Sequence, residues 1–222
     1  MARSSAGGLL SADEFCAAAE WFVTKSKQIG DGWECIAPTA NGPQYELYLQ
    51  KKTLTKISLI IDTGDEERQQ NVGSLEIIDV GDVIDEYDLG STDGGDASDS
   101  SNVTCQLEYH VLYSPSYCVP VMYFNAYKPN GQLLALDDLW SAVRARTRHD
   151  LQPESLWTFL TQQEHPILGR PYFFVHPCHT ADLMKQINGR GLTPNEYLVS
   201  WISTVGHFVY LDLSISYIMD CS

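Results

Sequence analysis

Apolar residues recur at helical spacing near the start of the chain, at Phe15, Ala18, Ala19, Phe22 and Ile29. Ser11 stands three residues before Glu14, the spacing at which a hydroxyl and a carboxylate cap a helix reciprocally, so a first helix is predicted from about Ala12 to Gln28. Trp33 to Ala37 and Tyr45 to Leu54 then read as strands joined across Thr39-Ala40-Asn41-Gly42-Pro43. Two stronger strands follow, Val103 to Tyr113 and Val119 to Lys128, the second ending in a Pro129-Asn130-Gly131 turn. Leu136 to Arg148 reads as a helix whose first turn carries Asp137 and Asp138 and whose end carries Arg144, Arg146 and Arg148, the charge order that suits a helix dipole. A short helix is expected behind Pro153-Glu154. Pro171 to Val175 is a buried strand by its aromatic and β-branched content, and Ala181 to Ile187 a short helix. Pro194 opens a last long helix with Leu198, Trp201, Ile202, Val205, Phe208 and Val209 on one face. A helix, an antiparallel β-meander and then helices make an α+β arrangement, and no internal repeat is visible.

The 222 residues suffice for a single domain spanning the chain, with little left for a second. Charge changes the picture at one place. Of the formal net charge of −15, −12 falls between Asp62 and Asp99, where thirteen acids face one base, Arg68. The acidity therefore belongs to an insertion at about 62–101, which ends in a low-complexity run of Gly, Ser, Thr and Asp. Such a composition buries too little apolar surface to offset its ordering entropy, and the insertion is expected to be mobile, with Leu75 to Val80 as a short docking element inside it. The remaining body is nearly neutral. It lacks the basic surface that phosphate neutralisation requires, which argues against a nucleic-acid partner.

Six cysteines (Cys16, Cys35, Cys105, Cys118, Cys178 and Cys221) follow no regular frame and read as reduced thiols. The first eight residues lack the apolar core of a secretory signal. The longest apolar stretch, Tyr197 to Met219, is interrupted by Gly206, His207 and Asp212 and does not read as a bilayer span. A cytoplasmic protein without stable membrane insertion is expected. The last helix has Trp201, Phe208 and Tyr210 but no lysine or arginine on its polar face, so core packing explains it better than a membrane contact.

The candidate chemistry is His176-Pro177-Cys178-His179-Thr180, directly after the buried strand. A thiol at the end of a strand, stopped by proline and flanked by two imidazoles, is positioned like a nucleophile, and a thiolate both attacks an acyl group and leaves it well. A buried, inert cysteine is the plainer account of most such residues. It serves for Cys16 on the apolar side of the first helix and for Cys35, Cys105 and Cys118 in strand patterns. At Cys178, proline and two histidines break the apolar pattern. Zinc is disfavoured, because four ligands in two spaced pairs are wanted and there is no second His/Cys cluster. A thiol hydrolase needs a base histidine held by Asn or Asp, and His110, His149, His165 and His207 have no telling context, His207 reading as a packed residue of the last helix. No glycine-rich phosphate loop is present, so any ATP-driven step belongs to another protein, and no cofactor is expected.

His176-Pro177-Cys178 after an aromatic strand resembles the active site of the autophagy E2-like conjugating enzymes. Two further segments share in it: Tyr113-Ser114-Pro115-Ser116-Tyr117-Cys118-Val119-Pro120 running into an apolar strand, and Pro194-Asn195-Glu196-Tyr197-Leu198 opening a helix. The resemblance covers roughly Val103 to Leu211, and within the group the short length and His-Pro-Cys-His-Thr are similar to the autophagy-related protein 10 family. It implies an E2-like core and an enzyme that accepts a ubiquitin-like modifier, autophagy-related protein 12, as a thioester on Cys178. The donor would be the activating enzyme autophagy-related protein 7, and the acceptor a lysine of autophagy-related protein 5. The sister reaction, autophagy-related protein 8 passed to phosphatidylethanolamine, and a non-catalytic scaffold of the same fold are the alternatives. The chain has no His-Pro-Asn motif upstream of the cysteine, whose asparagine supports the oxyanion in ordinary ubiquitin-conjugating enzymes. By position in the family, His176 and Tyr117 are nominated for that work.

Overall fold

The computed structural model describes residues 8–37, 47–60, 100–146, 160–187 and 191–218. Helix α1 (Ala12–Ile29) starts where the sequence predicts: Ser11 Oγ accepts the Glu14 N–H and the Glu14 carboxylate accepts the Ser11 N–H. Gly30 ends it at φ 70, in the left-handed region open to a residue without Cβ. Strand β1 (Glu34–Ile36) is short, whereas β2 (Tyr48–Ile60) runs six residues beyond its predicted end because it pairs along its whole length with β3 (Ser100–Ser114). β3 also starts inside the predicted insertion, at Ser100, and the rest of that insertion, with the 39–43 turn and the helix behind Pro153, lies outside the described residues. β4 (Val119–Tyr127), α2 (Leu136–Arg146), β5 (Leu160–Glu164) and β6 (Pro171–Val175) follow. A single 3-10 turn, Pro177–His179, then leads into α3 (Thr180–Ile187), and α4 (Pro194–Phe208) begins with a second capping box, Thr193 with Glu196.

The strands form one antiparallel sheet in the order β1-β2-β3-β4-β6-β5. Period-two alternation sorts the central strands into two faces. Cys105, Leu107, Tyr109 and Val111 of β3, Met122, Phe124 and Ala126 of β4, and Phe173 and Val175 of β6 point to one face, where α1, α2 and α4 close the main core. Trp201, Ile202 and Val205 of α4 are buried there, so the last helix is a core element, and no described helix is long and apolar enough to cross a membrane. His207, by contrast, is exposed and not packed: it sits on the outer side of α4, where Arg146 donates to its carbonyl oxygen.

The opposite face carries a second apolar cluster: Tyr48, Leu112, Val121, Tyr123, Tyr172 and Phe174. Its cover is the β5–β6 connection, through Ile167 and Leu168. β5 is absent from the sequence reading. Leu160-Thr161-Gln162-Gln163-Glu164 has one apolar residue and earns its place by backbone pairing with β6 alone.

Candidate active site

Register brings the three nominated residues to one end of the sheet. Met122 of β4 pairs with Val175 of β6, and the strands are antiparallel, so the C-terminal end of β6 meets the N-terminal end of β4. Residues 176–178 therefore emerge beside the turn that joins β3 to β4, where Ser114 pairs with Val119 and Tyr117 and Cys118 lie between.

Leaving β6, the chain cannot continue the ladder through Pro177, which has no N–H and sits in the first turn of the 3-10 segment. His176, in extended conformation, caps that turn with its side chain: Nδ1 accepts the backbone N–H of Cys178 at 3.1 Å. This fixes the neutral tautomer, with the proton on Nε2 free to donate elsewhere. The Cys178 side chain is exposed, and Thr180 turns inward to start α3. Tyr117, 47% exposed, sets its ring edge-to-face against the His176 imidazole at 5.9 Å between centroids. Phe174 approaches His176 in the same way at 6.0 Å. One imidazole is thus held between two aromatic rings, two residues from the thiol.

The other thiols divide differently from the sequence expectation. Cys16 and Cys105 are buried, and burial raises both above the usual thiol range. Cys35 is exposed, because β1 is the sheet's outer strand, so packing does not account for it. Cys118 is in a tight turn and not in a strand, at φ 52, a left-handed conformation that costs a non-glycine residue on the order of 1 kcal/mol. Its N–H donates to Ser114 O and its thiol to Pro115 O. Tyr113 beside it is pushed up to about 12 by burial, and by its bond to Cys118.

Two histidines without a telling sequence context meet on the second face. His165 Nδ1 accepts the backbone N–H groups of Ile167 and Leu168, so its Nε2 carries the proton. That proton goes to His110 Nδ1 at 3.0 Å, and His110 Nε2 donates to Glu108 Oε1 at 3.1 Å. The bond from His110, ahead of the opposing effect of burial, holds the Glu108 carboxyl below its ordinary value. Ring contacts run on from the pair to the candidate site, from His165 to Tyr123 at 5.0 Å, Tyr123 to Phe174 at 4.7 Å, and Phe174 to His176. Residues 55 positions apart in the chain leave no local signal for such a pair. Among the described residues no three His, Cys, Asp or Glu side chains are grouped to hold a metal ion.

An exposed cysteine after the inner strand of an antiparallel sheet, with helices on one face, suits a carrier of bulky acyl groups. The profile of the family described as autophagocytosis associated protein, active-site domain, matches residues 14–215, a span that includes Tyr117, His176 and Cys178. The chain belongs to this family of E2-like conjugating enzymes of autophagy. Its similarity is to proteins named ubiquitin-like-conjugating enzyme ATG10: that of Homo sapiens is 35% identical over 201 residues, covering 88% of this chain and 86% of the relative, and that of Arabidopsis thaliana 33% identical over 224 residues, covering 95% of each. The Dictyostelium discoideum protein of the same name is 32% identical over 118 residues, about half of either chain. Within the family the chain is therefore of the ATG10 kind, a ubiquitin-like protein transferase.

Proposed function

We propose that Cys178 is the acyl carrier of a conjugating enzyme that takes autophagy-related protein 12 from the activating enzyme, autophagy-related protein 7, and passes it to a lysine of autophagy-related protein 5. The Cys178 thiolate attacks the thioester between modifier and activating enzyme; the new C–S bond forms and the activating enzyme's thiolate leaves. The lysine amine then attacks the same carbonyl, the C–S bond to Cys178 breaks, and the amine's proton passes to solvent as the isopeptide bond forms. ATP is spent on the activating enzyme alone. The enzyme works as a single E2-like domain in the cytoplasm.

The observation that carries this reading is the exposed Cys178 thiol whose own backbone N–H is held by His176 Nδ1. The imidazole so fixed keeps an Nε2 proton for the tetrahedral oxyanion, a role that in mutagenesis of other enzymes is worth about 3 kcal/mol per donor. The Tyr117 hydroxyl is the second donor, its ring seated against that imidazole. Positioning supplies the rest, as an effective molarity worth on the order of 7 to 11 kcal/mol for well-oriented partners.

The test is a non-reducing gel after incubation with activating enzyme, ATP and each candidate modifier. The parent forms a thiol-sensitive adduct with autophagy-related protein 12 and Cys178→Ala forms none. An adduct on Cys178→Ala as strong as the parent's sinks the assignment. An adduct formed instead with autophagy-related protein 8 redirects it to the sister reaction.

A further inference from the structure

The segment just before α1 touches both halves of the candidate site. Leu10, fully buried, donates its backbone N–H to Cys118 O at 2.8 Å, next to Tyr117. Two residues earlier, Gly8 O accepts the Tyr197 hydroxyl of α4 at 2.7 Å. Gly8 also lies against α3, the helix that follows Cys178. A Cβ on Gly8 would stand 2.1 Å from Ala181 O and 2.8 Å from Lys185 N, and its φ of 78 is one that other residues rarely adopt. Three residues thus bond to the Tyr117–Cys118 turn at one end and press on α3 at the other, with α4 as the anchor. Phe15 of α1 adds a ring contact to Tyr113 at 5.8 Å, on the strand that leads into the same turn.

We propose that Gly8–Leu10 is a positioning strap for the transfer step, setting the distance between the Tyr117 turn and the helix behind Cys178. The argument rests on the reading that Cys178 carries the modifier and Tyr117 assists its transfer. The turn has a reason to need such a restraint. Cys118 holds a left-handed backbone that relaxes unless its surroundings over-determine it, and its carbonyl oxygen is the atom the strap grips. A displacement of about 1 Å in a positioning group can lower a rate on the order of a hundredfold, so a strap of this kind acts on rate more than on folding. Gly8 is required as glycine because no side chain fits between the strap and the α3 backbone.

The experiment is single-turnover discharge of preloaded enzyme to the acceptor protein, comparing Gly8→Ala, Tyr117→Phe and the double variant. Tyr197→Phe is a milder strap variant that keeps the ring and loses only the bond to Gly8 O. Tyr217→Phe, which removes a part-buried hydroxyl bond to Asp31 and touches neither the strap nor the Tyr117 turn through that bond, serves as the stability control. Gly8→Ala is expected to slow discharge about 10-fold or more and Tyr197→Phe about 2- to 5-fold, while Tyr217→Phe discharges at the parent rate. The double variant should be no slower than the slower of its two parents, since both lesions act through the same turn. If Tyr117→Phe slows discharge but the strap variants keep the parent rate, or if the two losses multiply, the strap is overturned and the catalytic reading stands. If Tyr117→Phe itself discharges at the parent rate, Tyr117 has no part in transfer and the strap loses the route argued for it. Gly8→Ala failing to fold leaves Tyr197→Phe, alone and combined with Tyr117→Phe, to decide by the same criteria.

Discussion

His165 hands its Nε2 proton to His110 Nδ1 across 3.0 Å, in the middle of the second buried face of the sheet. Both rings are fully buried, and the lone pair that protonation of His165 would occupy already accepts two backbone N–H groups. Burial first, then His110 and Arg170, push His165 down to about 4, against a smaller opposing pull from Glu108. Tyr48, Tyr123 and Tyr172 surround the pair and stay neutral, all three raised by burial.

The sign of the pH dependence follows. Between about pH 6.5 and 4 the unfolded chain binds a proton on His165 that the folded chain does not, so stability is full above the unfolded value and is lost as pH falls. The loss is at most roughly 3 kcal/mol by pH 4 from this residue. Denaturant titrations at pH 7 and pH 4.5 measure it. His165→Gln should be less stable at pH 7 yet show a shallower fall; an unchanged slope in that variant contradicts the assignment.

His176 caps the 3-10 turn, and the proposed function gives it a second, separable duty as oxyanion donor. His176→Ala loses the cap on the 3-10 turn, at about 1 kcal/mol, and the donor, and transfer should slow about 10- to 100-fold. His176→Asn keeps an acceptor for the Cys178 N–H and an amide donor beyond it, and should recover much of both. Thermal unfolding and single-turnover rates on the two variants separate capping from catalysis; equal rates in both leave His176 only structural.

Cys178→Ser should form an oxyester with the modifier that survives thiol reductant. Because the side chain is exposed, the folding midpoint should move by less than about 0.5 kcal/mol equivalent. A thiol-sensitive adduct on this variant would mean that another cysteine carries the acyl group.

Away from the site, Asp31 accepts from Lys51 Nζ at 2.6 Å and from the Tyr217 hydroxyl at 2.9 Å, tying the C-terminal turn to β2. Asp31→Ala strands a mostly buried ammonium and should cost about 3 kcal/mol in denaturant unfolding. Discharge rate per folded molecule should be unchanged. A slowed discharge would couple this corner of the fold to the thiol.

What the chain reveals by itself depends on how far a residue's partners are in sequence. The capping boxes at Ser11 and Thr193, the alternation of β3 and the near-continuous apolar run of β4 are local and legible. β5 is not, because its reason for being a strand is a neighbour's backbone and not its own side chains. Cys178 stands out through its own flanking residues. The cap from His176 Nδ1, the left-handed Cys118 and the His110–His165 bond are matters of orientation across the fold, and a linear pattern holds no trace of them. His207 shows the converse: an apolar neighbourhood in sequence placed it inside, and helix phase leaves it outside.

The long β2–β3 hairpin has a consequence for how a change at one end reaches the other. Ile60 pairs with Ser100 at one end of it, where the acidic segment joins the sheet, while Ser114 at the other end begins the Tyr117 turn. Fourteen residue steps of strand separate the two ends, on the order of 45 Å. The hairpin is a mast: its tip, at Ile60 and Ser100, and its foot, at the Tyr117 turn, are joined by paired backbone alone, so a change in pairing at the tip has thirteen ladder partners to cross before it reaches the turn.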